Sequence, residues 1–541
     1  MISNQELLER AKAWTIQDPD PETVAELEKL IRESDFESLR DRFDTRLGFG
    51  TAGLRGALGA GPNRMNRVLV SQAAIGLGNY LKGLSSDASV VIGFDGRKNS
   101  KIFAQDSAEL MAGMGIKVFL FDDLVATPMI AYAVKKLSTS AGVMVTASHN
   151  PPGDNGYKVY DESGSQIISP VDAQIAAEID SASKKDIREF SRSDNFQNVP
   201  KDLLKEYLQQ AAQLASRNAE TSKLKIVYSA MHGVGAKFVE EAFEMASLPK
   251  PIQVEQQKLP DPKFPTVSFP NPEEPGAMDL ALEKANLEQA DLILVNDPDA
   301  DRLAVAVRTK FGEMRQLTGD QVGLILGDEM AQRAQKLGIS GNLAASIVSS
   351  SALEKVAQHY GMGFMQTLTG FKWISRVPNL IFGYEEALGY CVDWQRVRDK
   401  DGISAAVVVA DLAMKLWASG QNLLDQLEKL AERYGYFATS QISIRVTDLG
   451  IIKSTMENLR ANPPADIAGS KTKFTDLLLG SETLGPTDGL RFDLEDGRRV
   501  IVRPSGTEPK LKCYLQAVAS TDSEAGTNLG ELEKAMRKIL A

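Results

Sequence analysis

The sequence predicts an α/β protein: three mixed α/β sheet domains followed by a smaller α+β C-terminal domain. Three observations carry this. The 541 residues leave room for three to four domains of about 150 residues each. From residue 89 short apolar runs alternate with helical segments of ten or more residues, and the pattern recurs twice further along. The last hundred residues change to short strands joined by turns.

Taken in order, the first forty residues read as helix, with Asp20 and Pro21 as N-cap and first helical residue and Val24, Leu27, Leu30 and Ile31 as the apolar stripe. A buried strand follows at 90–94, then a helix capped by Ser100 and running to Gly115, a strand at 116–121, a helix from near Pro128 and a strand at 141–146. Strands separated by helices predict parallel pairing. Runs at 224–228 and 291–296, and again at 343–348 and 380–382, repeat the arrangement. The tail reads as strands at 441–446, 489–493, 498–502 and 511–519, closed by a helix striped with Leu529, Leu532, Met536 and Ile539. Breaks at the polar stretch 184–202, at 309–311 and near Tyr436 divide the chain into expected domains 1–198, 199–311, 312–437 and 438–541.

Composition excludes several functions. Hydrophobic residues make up 43% and charged residues 25%, which is globular usage. Two cysteines, Cys391 and Cys513, give no disulfide framework and no Cys-x-x-Cys motif. The first residues lack a basic start and an apolar run, and no apolar stretch approaches the roughly 18 residues of a membrane helix, so a cytoplasmic protein without a membrane partner is expected. A net charge of −11 lacks the basic footprint of a nucleic-acid binder. It leaves room for an anionic small ligand in a local basic cleft. Only His149, His232 and His359 are available for histidine chemistry. Nothing in the sequence specifies an oligomer.

Four segments carry chemistry. Asn296-Asp297-Pro298-Asp299-Ala300-Asp301-Arg302 follows an apolar strand. Three carboxylates at alternate positions repel one another unless a cation sits among them, and a loop at a strand end can curl Asp297, Asp299 and Asp301 around a magnesium or calcium ion. The calcium EF-hand is excluded, because its sixth position would be Arg302 and its twelfth Arg308. A solvated acidic turn would show the same spacing. Thr146-Ala147-Ser148-His149-Asn150-Pro151 leaves the end of a strand, where α/β sheets bind ligands. Ser148 is a candidate nucleophile there, with His149 adjacent; a plain Pro-rich turn is the alternative. Lys158 in Asn155-Gly156-Tyr157-Lys158 offers a cation for a phosphate or for proton transfer. Glu385 and Glu386, between Gly383 and Gly389, suit hydrogen bonding to vicinal hydroxyls. Arg503-Pro504-Ser505-Gly506-Thr507 combines a guanidinium fork with hydroxyls and a glycine, an anion nest or a polar hairpin turn. No Walker P-loop occurs, and Gly48, Gly50 and Gly53 spell G-x-G-x-x-G without a preceding buried strand, so neither ATP nor NAD is implied.

In their order along the chain these segments resemble the phosphohexomutase superfamily, in particular its phosphoglucomutase and phosphomannomutase branch. Phe49-Gly50-Thr51-Ala52-Gly53-Leu54-Arg55-Gly56 is similar to the family's N-terminal substrate-contact segment, which brings in Thr51 and Arg55. The segment 146–151 resembles its phosphoserine loop, which would make Ser148 the phosphate carrier, with the serine phosphate and Asp297, Asp299 and Asp301 around Mg2+. Thr369-Gly370-Phe371-Lys372 and 383–389 resemble its sugar loops, implying contacts from Gly370, Lys372 and Glu385; 503–507 resembles its phosphate loop, implying Arg503, Ser505, Gly506 and Thr507.

The resemblance implies four domains and a mutase. Phospho-Ser148 would pass its phosphoryl group to a sugar monophosphate, the resulting sugar 1,6-bisphosphate (also the activator) would turn round, and the opposite phosphate would return to Ser148. His149 and Lys158 would serve proton transfer, and Arg302 and Lys372 binding. The expected substrate is α-D-glucose 1- and 6-phosphate. One position departs: many members carry a serine two places after the first glutamate of the sugar loop, and Ala387 stands here. The alanine resembles the branch that includes pentose-phosphate mutases, so a phosphopentomutase, a sugar-bisphosphate synthase and a phosphatase remain beside the glucose reading. A non-catalytic sensor is disfavoured by the presence of Ser148 and all three aspartates.

Overall fold

A computed structural model describes the chain except for residues 1, 217–222, 447, 482–483, 506–509 and 541 and the side chain of 449. It divides into two compact units: Met1–Gln316 with Gly389–Lys415, and Leu317–Leu388 with Leu416–Ala541. No single helix among the described residues is long and apolar enough to cross a membrane.

The first unit opens on helices Asn4–Gln17, Pro21–Glu33 and Phe36–Phe43. Asp20 caps the second through the Glu22 amide, with Pro21 as its first residue. Leu7, Ala11, Trp14, Leu27, Leu39 and Phe43 form their shared core. A six-stranded sheet follows, in the order Leu54–Ala57, Asp154–Asp161, Ala141–Val145, Ser89–Phe94, Lys117–Leu120, Gln197–Asn198. The predicted parallel pairing holds between Ser89–Phe94 and both Lys117–Leu120 and Ala141–Val145. Asp154–Asp161, a strand the sequence reading did not include and that no helix precedes, runs antiparallel to Ala141–Val145, which makes this the mixed sheet expected. Residues 146–153 are too few for a helical crossover, so the chain can only turn back. Lys158 therefore lies on this returning strand.

One correction concerns Ser100. The helix runs Ser100–Gly113 with Asn99 at its N-cap and no side-chain capping bond. The Ser100 hydroxyl instead donates to Asp95 Oδ1 at 2.7 Å, because Ser100 is buried beside that carboxylate.

The second sheet of this unit orders Met314–Gln316, Ala304–Arg308, Leu292–Val295, Ile226–Ser229, Ile252–Gln253. Ala304–Arg308 again pairs antiparallel with its predecessor Leu292–Val295, for the same reason: the connection is short. Each short connection carries one of the chemical motifs.

In the second unit the parallel strands Gly363–Thr367, Asn342–Ser346 and Leu380–Glu385 lie side by side. The C-terminal sheet is antiparallel throughout, in the order Tyr436–Arg445, Lys510–Ala519, Arg499–Pro504, Leu490–Leu494, Ser470–Asp476, Asp466–Ile467. Helix Asp522–Ile539 buries Leu532 and Met536 in the core of this sheet.

Candidate active site

Ser148 sits one turn beyond strand Ala141–Val145, with a positive φ of 52°. For a non-glycine residue this conformation needs support, and the support is visible. Thr146 Oγ1 accepts the Ser148 amide at 2.8 Å. The buried Arg97 guanidinium donates to the carbonyls of Ser148 (2.7 Å), Asn150 (2.5 Å), Pro151 (2.9 Å) and Asp154 (3.1 Å). Arg97 also lies over the Phe264 ring, 4.9 Å from its centroid. Sequence reading missed Arg97, since its only signal is an arginine after a buried strand.

The Ser148 hydroxyl lies 2.9 Å from Asp297 Oδ2 and 3.1 Å from His149 Nδ1. Its single proton can go to either acceptor. Burial, then the cations of Arg302 and Arg55, hold the His149 pKa well below the usual imidazole range, so the ring is neutral and can accept. The sequence left open whether the His149 side chain reaches the serine, and here it does.

Asp297, Asp299 and Asp301 are fully buried. The sharp loop is held from behind by Gly233, where a Cβ would fall 2.3 Å from Pro298, and by the Val234 amide on the Pro298 carbonyl at 2.9 Å. Lys158 Nζ reaches Asp299 Oδ2 at 2.7 Å and Asp301 Oδ2 at 2.9 Å. Lys400 Nζ adds a second contact to Asp301 Oδ2 at 2.8 Å, and Thr127 Oγ1 donates to Asp299 Oδ2 at 2.5 Å. Against burial, Lys158, Thr127 and Lys400 hold the Asp299 carboxyl well below the ordinary carboxylate range. Burial and the two neighbouring carboxylates push Asp297 well above it.

This geometry tests the metal expectation. Asp299 Oδ1 and Asp301 Oδ1 are buried without a hydrogen-bond partner. The three residues each offer an oxygen within 4.8 Å of the others. Buried, unsatisfied, hard oxygen donors of net negative charge are what a divalent hard cation requires, so the residues fit Mg2+.

Lys400 belongs to a segment the sequence reading passed over. Asp399 accepts bonds from Tyr160 (2.8 Å) and Gln166 (3.0 Å); Asp401 accepts bonds from Tyr207 (2.9 Å) and from the amides of Ile403 and Ser404. Burial opposes the charge on Lys400, but Asp301 and Asp399 win and raise its pKa. Asp399-Lys400-Asp401 looks like a solvated charge run. The overlooked signal is the apolar stretch after Gly402, a helix with little polar face, which forces residues at its start inside.

The other expected residues of this unit gather nearby. Arg55 Nη1 donates to Asn150 Oδ1 at 3.2 Å. Thr51 lies in a turn closed by mutual Gly50 and Gly53 backbone bonds of 3.1 and 2.8 Å. Gly53 has φ 76° and packs so closely on the Tyr157 carbonyl that a Cβ would lie 1.8 Å from it. This closeness explains Gly53 without any dinucleotide, whereas a Cβ at Gly48 or Gly50 would meet nothing within 4 Å. The Arg302 amide donates to Asp297 Oδ1 at 3.0 Å, and its guanidinium pairs with Glu273 at 3.3 Å.

In the second unit Gly370, at φ 111°, opens the short helix Phe371–Ile374 that carries Lys372. The Gly370 amide donates to Glu385 Oε1 at 2.6 Å, which draws the segments 369–372 and 383–389 together. Glu386 faces elsewhere: its Oε2 accepts from Ser346 (3.0 Å) and Ser349 (3.1 Å). Arg503 lies on strand Arg499–Pro504, and the Ser505 amide donates to the Lys510 carbonyl at 2.8 Å, narrowing a hairpin. Gly506 and Thr507 lie outside the described residues.

Comparison with known proteins identifies the family. Phosphoglucomutase/phosphomannomutase alpha/beta/alpha domains I, II and III match residues 46–186, 188–312 and 318–434, and the C-terminal domain of the same family matches 451–528. A Haemophilus influenzae protein bearing the name "Probable phosphomannomutase" is 49% identical over 480 residues, covering 88% of this chain and 98% of its own. The Homo sapiens phosphopentomutase is 36% identical over 580 residues, 97% of this chain and 94% of its own. A phosphoglucomutase/phosphomannomutase family protein from Burkholderia thailandensis superposes with a TM-score of 0.70 at 18% identity, covering 92% of this chain and 97% of its own, which shows the shared fold. With four family domains in order and a serine facing a buried three-aspartate loop, the chain belongs to the phosphoglucomutase/phosphomannomutase family of the phosphohexomutase superfamily and is a phosphosugar mutase.

Proposed function

We propose that this enzyme interconverts α-D-glucose 1-phosphate and glucose 6-phosphate through a phosphoserine at Ser148 and a glucose 1,6-bisphosphate intermediate. The observation that carries the reading is the position of the Ser148 hydroxyl, 2.9 Å from Asp297 and 3.1 Å from a neutral His149. The proposed division of labour follows the four domains 1–198, 199–311, 312–437 and 438–541, in a cytoplasmic protein.

Asp297, Asp299 and Asp301 would hold Mg2+, with the phosphate on Ser148 as a further ligand. When bound, the ion neutralises charge on the transferring phosphoryl group. The rest falls to the chain itself. His149 Nδ1 accepts the proton of a hydroxyl approaching the phosphoserine and later returns one, a role its lowered pKa permits near neutral pH. Lys158 balances the carboxylates and sits where a proton can also be exchanged. Thr51 and Arg55 line the approach to Ser148, and Arg302 meets its phosphate. Gly370, Lys372 and Glu385 receive the sugar hydroxyls, and Arg503, Ser505, Gly506 and Thr507 hold the phosphate that is not reacting.

A second reading, pentose phosphates, is favoured by Ala387 and by relatives named for such substrates, among them the "Probable phosphoribomutase" of Schizosaccharomyces pombe, 37% identical over 571 residues. The loss of one hydroxyl from the sugar loop weakens the grip on a hexose. A coupled assay with Mg2+ and trace glucose 1,6-bisphosphate, comparing glucose, mannose and ribose 1-phosphates, decides between them. Highest kcat/KM on glucose 1-phosphate supports the first reading. Preference for ribose 1-phosphate keeps the mechanism and moves the substrate. No turnover without an added high-energy phosphoryl donor replaces both with a bisphosphate synthase, the activity named for a Homo sapiens relative 36% identical over 578 residues.

A further inference from the structure

Arg302 stands between two anions. Its Nε is 4.0 Å from Asp297 Oδ2 and its Nη1 is 3.3 Å from Glu273 Oε2, and only 14% of its side chain is exposed. Asp297 is the carboxylate that touches the Ser148 hydroxyl, so a phosphoryl group on Ser148 arrives within reach of the same guanidinium. Glu273 is different in kind: its side chain is 40% exposed and belongs to a turn rather than to the metal loop. In that turn the Glu273 amide donates to Asn271 Oδ1 at 3.2 Å and the Glu274 amide to the Asn271 carbonyl at 2.9 Å. Phe269, at the start of the turn, lies 6.4 Å from the His149 ring. The turn thus borders both the base and the arginine.

We propose that Glu273 is an exchangeable counter-ion for Arg302: it occupies the guanidinium in the resting site and yields it to an incoming phosphate. An arginine that must grip a dianion and then let the bisphosphate turn round needs a competitor of intermediate strength. Asp297 cannot serve, being buried and committed to the serine and the metal loop. A half-exposed carboxylate at 3.3 Å suits, since water screens its end of the pair and lets it separate more easily than a buried partner. Glu273 is therefore a positioning residue, acting through Arg302 on affinity and release. This rests on the mutase reading proposed above.

The test uses inorganic phosphate as the probe, titrated calorimetrically into the full-length protein at low salt, without turnover. Glu273→Gln is expected to bind phosphate roughly two- to five-fold more tightly than the natural protein, with the gain shrinking in 0.5 M NaCl as screening grows. In an Arg302→Ala background the same change should have no effect. In turnover, Glu273→Gln should lower KM and kcat together, and Glu273→Asp, which keeps the charge near the guanidinium, should restore part of kcat. Unchanged or weaker phosphate binding in Glu273→Gln overturns the proposal, because Glu273 then only props Arg302. A gain that survives Arg302→Ala also overturns it, because general repulsion is then the cause. If the natural protein binds phosphate and responds as described but turns over no sugar phosphate, the mutase reading fails and the counter-ion stands.

Discussion

Ser148 and Lys158 show how much a single side chain decides here. Ser148 combines an unusual backbone conformation, φ 52°, with a hydroxyl shared by a buried carboxylate and a neutral imidazole. Ser148→Ala is expected to abolish turnover while the protein stays folded, and mass spectrometry should then find no phosphate on the peptide spanning residue 148. A surviving phosphopeptide or measurable turnover would refute the assignment. Lys158 is the buried cation shared by Asp299 and Asp301. Lys158→Met removes one partner of a buried ion cluster, which typically costs about 3–5 kcal/mol. Thermal melts should show that loss in EDTA and a partial recovery with Mg2+, because a cation bound only to the folded state stabilises it by mass action. Equal losses with and without Mg2+ would mean that the three carboxylates are not the cation site.

At the scale of elements, what matters is how helices and loops are pinned beside the site. Asp401 accepts the first amides of helix Gly402–Ala418 and the Tyr207 hydroxyl. Burial nevertheless pushes its carboxyl up to about 6 from 3.8, the hydrogen bonds only opposing the shift. A raised folded-state pKa means the folded chain binds the proton more tightly than the unfolded chain. Its stabilising contribution is complete below pH 4 and disappears as pH rises through 6, a change of about 3 kcal/mol. Asp401→Asn should therefore reduce the fall in Tm between pH 4 and pH 7; an unaltered slope would place the pH dependence elsewhere. The metal loop is pinned by close backbone contact instead. Gly233→Ala would push a methyl group into Pro298, and we expect it to weaken Mg2+ binding by about ten-fold or more, a displacement near 1.4 kcal/mol. Calorimetric titration of Mg2+ reads this directly, and unchanged affinity would show that the loop has slack.

For the molecule as a whole, two units carry the expected residues in separate groups. Within the second, the C-terminal sheet is locked to the strand bearing Ser346. Arg499 donates to the Ser349 carbonyl at 2.5 Å, Gln516 exchanges bonds with Ser351 (2.8 and 2.9 Å), and Ile347, Val348, Ile501 and Tyr514 form an apolar seam. Arg499→Met leaves a buried carbonyl unpaired, at about 1–3 kcal/mol, and differential scanning calorimetry should show an added low-temperature transition; a single transition at the natural Tm would show that the seam suffices. The periodicity of apolar residues determined the alternating sheets and the C-terminal change of architecture, because these are local patterns, and the resemblance of the loops singled out Ser148 and the three aspartates as candidates. Ser100 as a cap went astray because a neighbouring carboxylate overrode local preference, and the antiparallel strands 154–161 and 304–308 went unread because short connections rather than helices precede them. Arg97, Lys400 and Glu273 stayed illegible: an arginine, a lysine in a charge run and a glutamate in a turn look solvated until distant segments close over them. The sequence by itself determined which groups could do chemistry. Only tertiary structure decided which charges were buried together, since the cost of burying a carboxylate or a cation is met by partners far away along the chain.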